Sequence, residues 1–324
     1  METPMSGRPP SRLLFVAANP SIDRLYEVDR LVAGEIHRPA VTIAVPGGKG
    51  LNAARVAFAL GGSVTAVGIV GGNAGDWIVE RLADLRIDAR MARATGETRT
   101  CLSVLDRSNG AMTEIYEHGV QLPSGAWDEL EAIIRAEAEH GDLGGIALSG
   151  SLPPGAPPDG YGRIARIAAD GSRPVSIVAD TYGPALAAVL AERPAIVKLN
   201  ADEAGEATGV TVADAWSAAS AAAALRDAGA ACAIVTLGLE GAVVASERER
   251  AHLVPPGVRG AYPVGSGDAF LGGLLVAIGR GQSVIDGARL GLAAGIANAM
   301  LPGAGELDPT AIEPTLKGIA QSEV

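Results

Sequence analysis

The chain of 324 residues is poor in the residue types that define several protein classes. Its two cysteines, Cys101 and Cys232, lie far apart in apolar runs, which argues against a disulfide scaffold or a cysteine zinc site. Four scattered histidines show no metal-ligand spacing. No apolar run reaches the roughly 18 residues of a membrane span, and the N-terminal stretch lacks a signal-peptide core. We therefore expect a cytoplasmic protein without a membrane partner.

Positive charge is also scarce. The formal net charge of -11 and the sequence pI of about 4.9 would repel DNA or RNA, so we expect no nucleic-acid partner. Lysine and arginine together number 26, but only Lys49, Lys198 and Lys317 are lysines. A lysine in a glycine-rich loop, such as Lys49, is therefore more informative than usual.

Short runs rich in valine and isoleucine alternate with alanine-rich segments of helical periodicity, which predicts an α/β fold with a mainly parallel sheet covered on both faces. The predicted strands are "LLFVAA", "TAVGIV", "GIALS", "VSIVAD", "AIVKL" and "CAIVTL". Helices are predicted over residues 51–60, 77–85, 127–140, 161–169, 213–228, 268–278 and 283–300. We find no repeat or linker and expect one domain over 1–324.

Two stretches interrupt this pattern. Residues of about 22–45 and 98–118 alternate apolar and polar side chains, and "DRSNG" in the second is a hairpin signal. Both stretches are predicted to form antiparallel strands of a small accessory sheet, which would serve as a lid or an interface.

Several glycine-rich or polar loops follow predicted strands. "PGGKG" precedes a helix, but it lacks the serine or threonine of a Walker A loop, so a packing turn and a ligand loop both remain open. "SGS" lies at a strand end, where ligands of α/β sheets bind. In "KLNADE", Glu203 is either a solvated first-turn carboxylate or a magnesium ligand. "TLGLEG" is consistent with a simple hairpin turn.

The stretch "GSGDAF" places Ser266 and Asp268 in a glycine cluster where a loop leads into a helix. A serine-hydrolase elbow would need glycines where Val264 and Asp268 stand, and a dinucleotide fingerprint should follow an early strand. Two interpretations remain: a structural turn in which Asp268 caps the helix, and phosphoryl transfer. In phosphoryl transfer the N–H groups of Gly265, Ser266 and Gly267 would bind the phosphate, while Asp268 accepts the acceptor hydroxyl's proton.

Six motifs together resemble the PfkB (ribokinase-like) carbohydrate kinases over nearly the whole chain. They are "NPSID", "GGKGLNAAR", "SGSLPPG", "KLNADE", "TLGLEGA" and "GSGDAF", in the order of the family. The sequences of these motifs most resemble the branch of the family that contains 1-phosphofructokinase and tagatose-6-phosphate kinase. The resemblance implies a ribokinase-like three-layer α/β/α sandwich with a small β-sheet lid.

The resemblance also implies roles for individual residues. Asp268 would be the catalytic base, with Gly265, Ser266 and Gly267 as the anion hole. The sugar would be held by Asp23, Gly47, Gly48, Lys49 and Asn52, and its phosphate by Arg99, Arg38 and Ser151. ATP would be bound by Lys198, Asn200, Thr236, Gly238 and Gly241, and Mg²⁺ by Glu203.

The activity implied is ATP- and Mg²⁺-dependent phosphorylation of a ketohexose phosphate, with fructose 1-phosphate giving fructose 1,6-bisphosphate. Tagatose 6-phosphate, fructose 6-phosphate, an unphosphorylated sugar or a nucleoside are alternative acceptors, and a non-catalytic binding protein is the rival from another class. Ser266 in place of the family's alanine should leave a backbone anion hole intact. The apolar alternation of the lid strands predicts a homodimer through that sheet.

Overall fold

The computed structural model describes residues 11–171 and 175–324, so residues 1–10 and 172–174 of the expected domain lie outside the described residues. The strands are β1 (Arg12–Ala17), β2 (Ser21–Val28), β3 (Val41–Gly47), β4 (Val64–Gly71), β5 (Asp88–Ala94), β6 (Thr100–Asp106), β7 (Ala111–Tyr116), β8 (Leu143–Ser149), β9 (Ser176–Asp180), β10 (Ile196–Asn200), β11 (Cys232–Thr236), β12 (Ala242–Ser246), β13 (Arg250–Val254) and β14 (Ala320–Ser322). The helices are α1 (Lys49–Ala59), α2 (Gly72–Asp84), α3 (Ala126–Glu139), α4 (Gly160–Ala169), α5 (Gly183–Ala191), α6 (Ala201–Thr208), α7 (Ala215–Asp227), α8 (Ser266–Gly279), α9 (Val284–Ala299) and α10 (Ile312–Gly318).

The main sheet has the strand order β14-β13-β12-β11-β10-β9-β8-β1-β4-β5. Its strands from β11 to β5 pair in parallel, and β12, β13 and β14 extend it antiparallel at one edge. Side chains of β1 alternate between two apolar cores because successive residues of a strand point to opposite faces. Leu13 and Phe15 pack in the core beneath α1, α8 and α9, whereas Leu14 and Val16 pack against α3 and α4. The predicted three-layer α/β/α arrangement is therefore confirmed.

The second sheet, called the lid sheet here, consists of β2, β3, β6 and β7 in the order β3-β2-β6-β7. Both predicted stretches contribute to it, and "DRSNG" forms the hairpin between β6 and β7. One part of the prediction is wrong: β2 pairs with β6 in parallel, although each stretch is antiparallel within itself. The parallel pairing follows from the path of the chain, which passes through the main sheet between β3 and β6 and so makes a crossover connection.

Each strand predicted from the sequence is present, but some helix bounds differ. Helix α2 begins at Gly72, five residues before its predicted start, because the Glu97 carboxylate accepts the N–H groups of Asn73 and Ala74 at 3.1 and 2.9 Å. Helices α5, α6 and α10 were not predicted, since each spans fewer than ten residues and shows little periodicity.

The cysteines and the hydropathy of the helices agree with the sequence. Cys101 and Cys232 are both buried and free of a disulfide. Within the described part of the chain, no helix has the length and apolar character needed to cross a membrane.

Candidate active site

The carboxyl ends of the parallel strands face the lid sheet, and a cavity of about 590 Å³, the first cavity, lies between them. Most of the site residues predicted from the sequence line it: Asp23, Gly48, Lys49, Asn52, Arg99, Ser151, Lys198, Asn200, Glu203, Thr236, Gly238, Gly265, Gly267 and Asp268. A second cavity of about 900 Å³ adjoins it and shares Thr236, Gly238 and Gly267 with it. Ser266 and Gly241 line the second cavity only.

The two remaining predicted residues lie elsewhere. A Cβ atom on Gly47 would lie 2.0 Å from the Asp23 carboxyl carbon, so glycine is required for Asp23 to take its place. Arg38 is exposed in the loop between β2 and β3, beyond the Glu27–Val41 end of these strands. Because Asp23 lies at the opposite end, the structure does not bring Arg38 to the first cavity of its own chain.

Asp268 lies at the bottom of the first cavity and is 8% exposed. Its carboxylate accepts a hydrogen bond from Asn52 Nδ2 at 3.0 Å, and the same nitrogen donates to Asp23 at 3.0 Å. Burial raises the pKa of Asp268 to about 7; Lys49 opposes this shift and the charge of Asp180 adds to it. A carboxyl group with a pKa near neutrality is suited to accept a proton from a hydroxyl group.

The loop before Asp268 presents unpaired backbone donors. Helix α8 is capped by Gly265, with φ of 83°, and Asp268 lies in its first turn, so the interpretation of Asp268 as the helix cap is wrong. The N–H of Ser266 donates to the Pro263 carbonyl at 3.1 Å. Those of Gly265 and Gly267 have no acceptor in the described part of the chain, so two of the three expected anion-hole donors are free.

Asp180 was not identified from the sequence, and it forms ion pairs with two of the three lysines. Its fully buried carboxylate accepts from Lys49 Nζ at 3.0 Å and from Lys198 Nζ at 2.6 Å. Burial acts to raise the pKa of Asp180, but the two ammonium groups outweigh burial and hold that pKa below its usual range. The signal for it was the acidic residue that ends the apolar strand "SIVAD". The lysines are thereby held beside Asp268.

Glu203 is engaged on both oxygens. Oε2 accepts the N–H of Asn200 at 3.0 Å in a capping box that begins α6, and Oε1 accepts from Lys49 Nζ at 2.8 Å. No group of three or more histidine, cysteine or acidic side chains forms a metal cage within the described residues. A single carboxylate nevertheless suits Mg²⁺, which keeps several waters and binds substrate phosphates. Glu203 is therefore the side chain that would hold a magnesium ion together with a nucleotide, and Oε1 would then exchange its contact with Lys49 for the metal.

Arg99 also lines the first cavity, and among the described residues its Nε has no hydrogen-bond partner. Its two terminal nitrogens donate to the carbonyls of Asn19 at 3.0 Å and Glu117 at 3.4 Å, and among the described residues it has no carboxylate partner. Asn19 also donates to Ser151 Oγ at 3.0 Å, which places Ser151 near Arg99. Arg99 Nε and Ser149 Oγ are the buried side-chain polar atoms left without a partner in the described ranges, and both residues line this cavity. A bound ligand or an ordered water would supply the partners that these two atoms lack.

Two further buried polar residues, Asn298 and Arg55, make hydrogen bonds to the backbone around the site. The Asn298 amide donates to the Val264 carbonyl at 3.0 Å and accepts the N–H of Gly305 at 2.8 Å. The Arg55 guanidinium donates to the Pro46 carbonyl at 2.6 Å and also bonds the Ala304 carbonyl. The Asn298 bonds tie the start of the "GSGD" loop to α9, and the Arg55 bonds tie α1 to the segment at Ala304.

The second cavity differs from the first in chemistry. Apolar side chains of α8 and α9, namely Phe270, Leu292 and Ile296, line it together with Leu239 from the β11–β12 turn. One end opens at Ser266 and Gly267, beside the free N–H donors. An apolar compartment that leads to an anion-binding loop suits a nucleotide, whose base is apolar on its faces and whose phosphates are anionic.

Comparisons with known proteins agree with this geometry. Residues 16–311 match the family described as pfkB family carbohydrate kinase. A 1-phosphofructokinase of Rhodobacter capsulatus is 31% identical over 282 residues, which cover 87% of this chain and 88% of the relative.

Solved structures show the same fold. Phosphofructokinase-2 from Escherichia coli in complex with fructose-6-phosphate superposes with a TM-score of 0.84 at 26% identity, over 95% of this chain and 98% of that one. A possible 1-phosphofructokinase of Thermotoga maritima has a TM-score of 0.86 at 22% identity, over 97% and 99%. With the family pattern covering most of its length and its motifs gathered at one site, the chain belongs to the PfkB family of carbohydrate kinases.

Proposed function

We propose that this protein transfers the γ-phosphate of ATP, with Mg²⁺, to a ketohexose phosphate, and that fructose 1-phosphate is the acceptor. The observation that carries the proposal is that one cavity is lined both by the Asp268 carboxylate and by Arg99, whose Nε has no partner among the described residues. An acceptor that carries a hydroxyl group and a phosphate group would match the carboxylate of Asp268 with the hydroxyl and the guanidinium of Arg99 with the phosphate.

The phosphate end of the acceptor is assigned to Arg99 and Ser151, which both contact Asn19. A guanidinium can donate two parallel hydrogen bonds to one phosphate, which a lysine ammonium cannot do in the same geometry. The unpartnered Arg99 Nε would gain a partner there, which would remove the desolvation penalty of that donor.

The reactive end is assigned to Asp268. The carboxylate takes the proton of the acceptor hydroxyl, the hydroxyl oxygen forms a bond to the γ-phosphorus, and the bond from that phosphorus to the bridging oxygen of ADP breaks. The free N–H groups of Gly265 and Gly267 would stabilise the charge on the transferred phosphoryl oxygens, and Lys49 and Lys198 stand beside Asp268 to add positive charge. Magnesium at Glu203 would neutralise phosphate charge when the nucleotide is bound.

The nucleotide is assigned to the second cavity, with Thr236, Gly238 and Gly241 of the β11–β12 turn beside its phosphates. Closure of the lid sheet over both cavities would exclude water, so that the sugar rather than water receives the phosphoryl group.

The identity of the sugar is supported by the relative from Rhodobacter capsulatus, which is a 1-phosphofructokinase. Fructose 6-phosphate is the principal alternative, because it is the ligand named for the Escherichia coli structure. Measurement of ADP release with fructose 1-phosphate, fructose 6-phosphate, tagatose 6-phosphate, free hexoses and nucleosides decides between them. The highest kcat/KM is expected with fructose 1-phosphate; preference for an unphosphorylated sugar would overturn the assignment of Arg99.

We also propose a homodimer through the lid sheet. Ile115 is 60% exposed on the edge strand β7, and Ile36 is 85% exposed in the loop between β2 and β3. Exposed apolar side chains at a sheet edge are typical of association surfaces. Arg38 lies two residues from Ile36, so the predicted contact of Arg38 with the sugar phosphate would have to be made across such an interface.

A further inference from the structure

The lid sheet contacts the second cavity as well as the first. Strand β6 begins beside Arg99, which lines the first cavity, and ends in the hairpin that carries Arg107 and Asn109, which line the second. Eight residues separate the two arginines, or about 25 Å of extended chain. One strand therefore extends from the acceptor site to the site assigned to the nucleotide.

The hairpin is held in a defined position by Asp106, which is buried. Its carboxylate accepts from the Ser108 N–H at 2.9 Å, the Ser108 hydroxyl at 2.6 Å and the Leu31 N–H at 3.1 Å. The N–H of Arg107 donates to the Val28 carbonyl at 3.0 Å. Because the backbone is fixed in this way, Arg107 is presented to the second cavity without a loop having to order.

The side chain of Arg107 is free to take a ligand. Among the described residues it forms an ion pair with Asp29, which lies 3.7 Å away and is 95% exposed, so the contact is weak. The neighbouring wall is tied to the lid by the Tyr262 hydroxyl, which donates to Glu27 at 2.8 Å. Arg107 is thus a half-exposed cation that lines a cavity together with the apolar side chains of α8 and α9.

The position along β6 indicates which part of a nucleotide Arg107 meets. Asp268 and the anion-hole loop lie under the end of the lid that contains Asp23, because Asn52 bonds both aspartates. Asp23 is paired with Cys101, six residues before Arg107. The γ-phosphate belongs at the Asp23 end, so Arg107 faces the base and ribose, where a planar guanidinium stacks on an aromatic ring.

We propose that Arg107 is a nucleotide-binding residue carried by the lid, and that β6 couples the two substrates because Arg99 and Arg107 move as one unit. This inference rests on the proposed function, since it places ATP in the second cavity. A nucleotide that holds Arg107 would favour the lid position in which Arg99 reaches the acceptor phosphate, so each ligand should tighten the binding of the other by the same factor.

Calorimetric titration of the full chain tests the proposal with the non-hydrolysable analogue AMP-PNP, with Mg²⁺, in the presence and absence of fructose 1-phosphate. The variants are Arg107→Ala, Arg107→Lys and the control Arg248→Ala, an exposed arginine in the β12–β13 turn that lines neither cavity. We expect Arg107→Ala to weaken AMP-PNP binding by roughly fivefold to twentyfold, and Arg107→Lys by less, because a cation without the planar group remains. The affinity for fructose 1-phosphate alone should not change.

The outcomes separate this inference from the proposed function. In the wild type the two ligands should bind cooperatively, and in Arg107→Ala the coupling factor should fall towards one. AMP-PNP binding that is unchanged in Arg107→Ala would overturn the inference while the kinase assignment stands. Weakened binding with full coupling would overturn the role of β6. A wild type that does not bind AMP-PNP would overturn the proposed function itself, and with it the inference.

Discussion

The ammonium nitrogen of Lys49 lies 2.8 Å from Oε1 of Glu203, the oxygen that a magnesium ion would need. Burial acts to lower the pKa of Lys49, but Asp180 and Glu203 outweigh it and raise that pKa above its usual range, so the lysine remains a cation. A metal ion that approaches Glu203 therefore meets a positive charge that already occupies its ligand.

Removal of this charge should strengthen metal binding. In Lys49→Met we expect the Kd for Mn²⁺ without nucleotide, measured by electron paramagnetic resonance, to fall by about tenfold because one repulsive charge is gone. Lys317→Met is the matched control, since Lys317 is the third lysine and is exposed in α10. Mn²⁺ binding in Lys49→Met that is equal to or weaker than in the wild type would show that Lys49 does not compete with the metal for Glu203.

Asp268→Asn should lose turnover while it keeps nucleotide binding. The amide cannot accept the hydroxyl proton, and a positioned base contributes roughly 10²–10⁴ in rate. ADP release measures turnover, and AMP-PNP titration measures binding. Asp286→Asn, in the first turn of α9, is the control for an aspartate near a helix start. Near-normal turnover in Asp268→Asn would exclude this residue as the base.

The rate should depend on pH through Asp268. Its pKa in the free protein is raised to about 7, and the deprotonated form alone accepts a proton, so kcat/KM should fall as the pH drops through about 7. Asp180→Asn should move this limb to lower pH, because a charge that raises the pKa is removed and two lysines that lower it are released. If the rate of Asp180→Asn falls at the same pH as that of the wild type, the group that titrates is not Asp268.

The same pKa makes a prediction about stability. The folded state binds this proton more tightly than the unfolded chain, where the pKa is near 3.8. Stability from Asp268 is therefore fully present below about pH 3.8 and is lost as the pH rises through about 7. Asp268→Asn should raise Tm relative to the wild type, and by more at pH 8 than at pH 5, as thermal unfolding would show. An equal shift at both values would contradict a raised pKa.

Arg99→Ala should raise KM for the phosphorylated acceptor. Loss of one or two charged hydrogen bonds should raise KM by about tenfold to a hundredfold. The effect on kcat should be smaller, because the phosphate contact is expected to be equally strong in the ground and transition states. The control is Arg250→Ala, an exposed arginine in β13 outside both cavities. Unchanged KM would place the phosphate elsewhere.

The proposed homodimer predicts that Ile115→Glu is monomeric, because a charge on β7 would be buried without a partner in the interface. Size-exclusion chromatography with light scattering gives the mass, and Leu85→Glu, at the C-terminal end of α2, is the control for an exposed leucine. A monomeric wild type would exclude the interface outright.

Much of the fold could be predicted because its signals are local. A strand buried on both faces, such as "TAVGIV" in β4, is apolar throughout, and the alanine-rich helices are periodic. The parallel pairing of β2 with β6 could not be predicted, because it depends on where the chain returns after β4 and β5. The role of Asp180 could not be predicted for the same reason, because its partners Lys49 and Lys198 lie 131 and 18 residues away in the chain.

The sequence by itself determined the layered α/β fold, the glycine turns and the residue types of the site, because these follow from periodicity and from backbone conformations that nearby residues dictate. Tertiary structure alone decided which charges meet. It paired Lys49 with Glu203, left Arg99 Nε without a partner and placed Arg107 at the second cavity. The energy of a charge interaction depends on distance and burial, and both are set by the folded structure and not by the order of residues in the sequence.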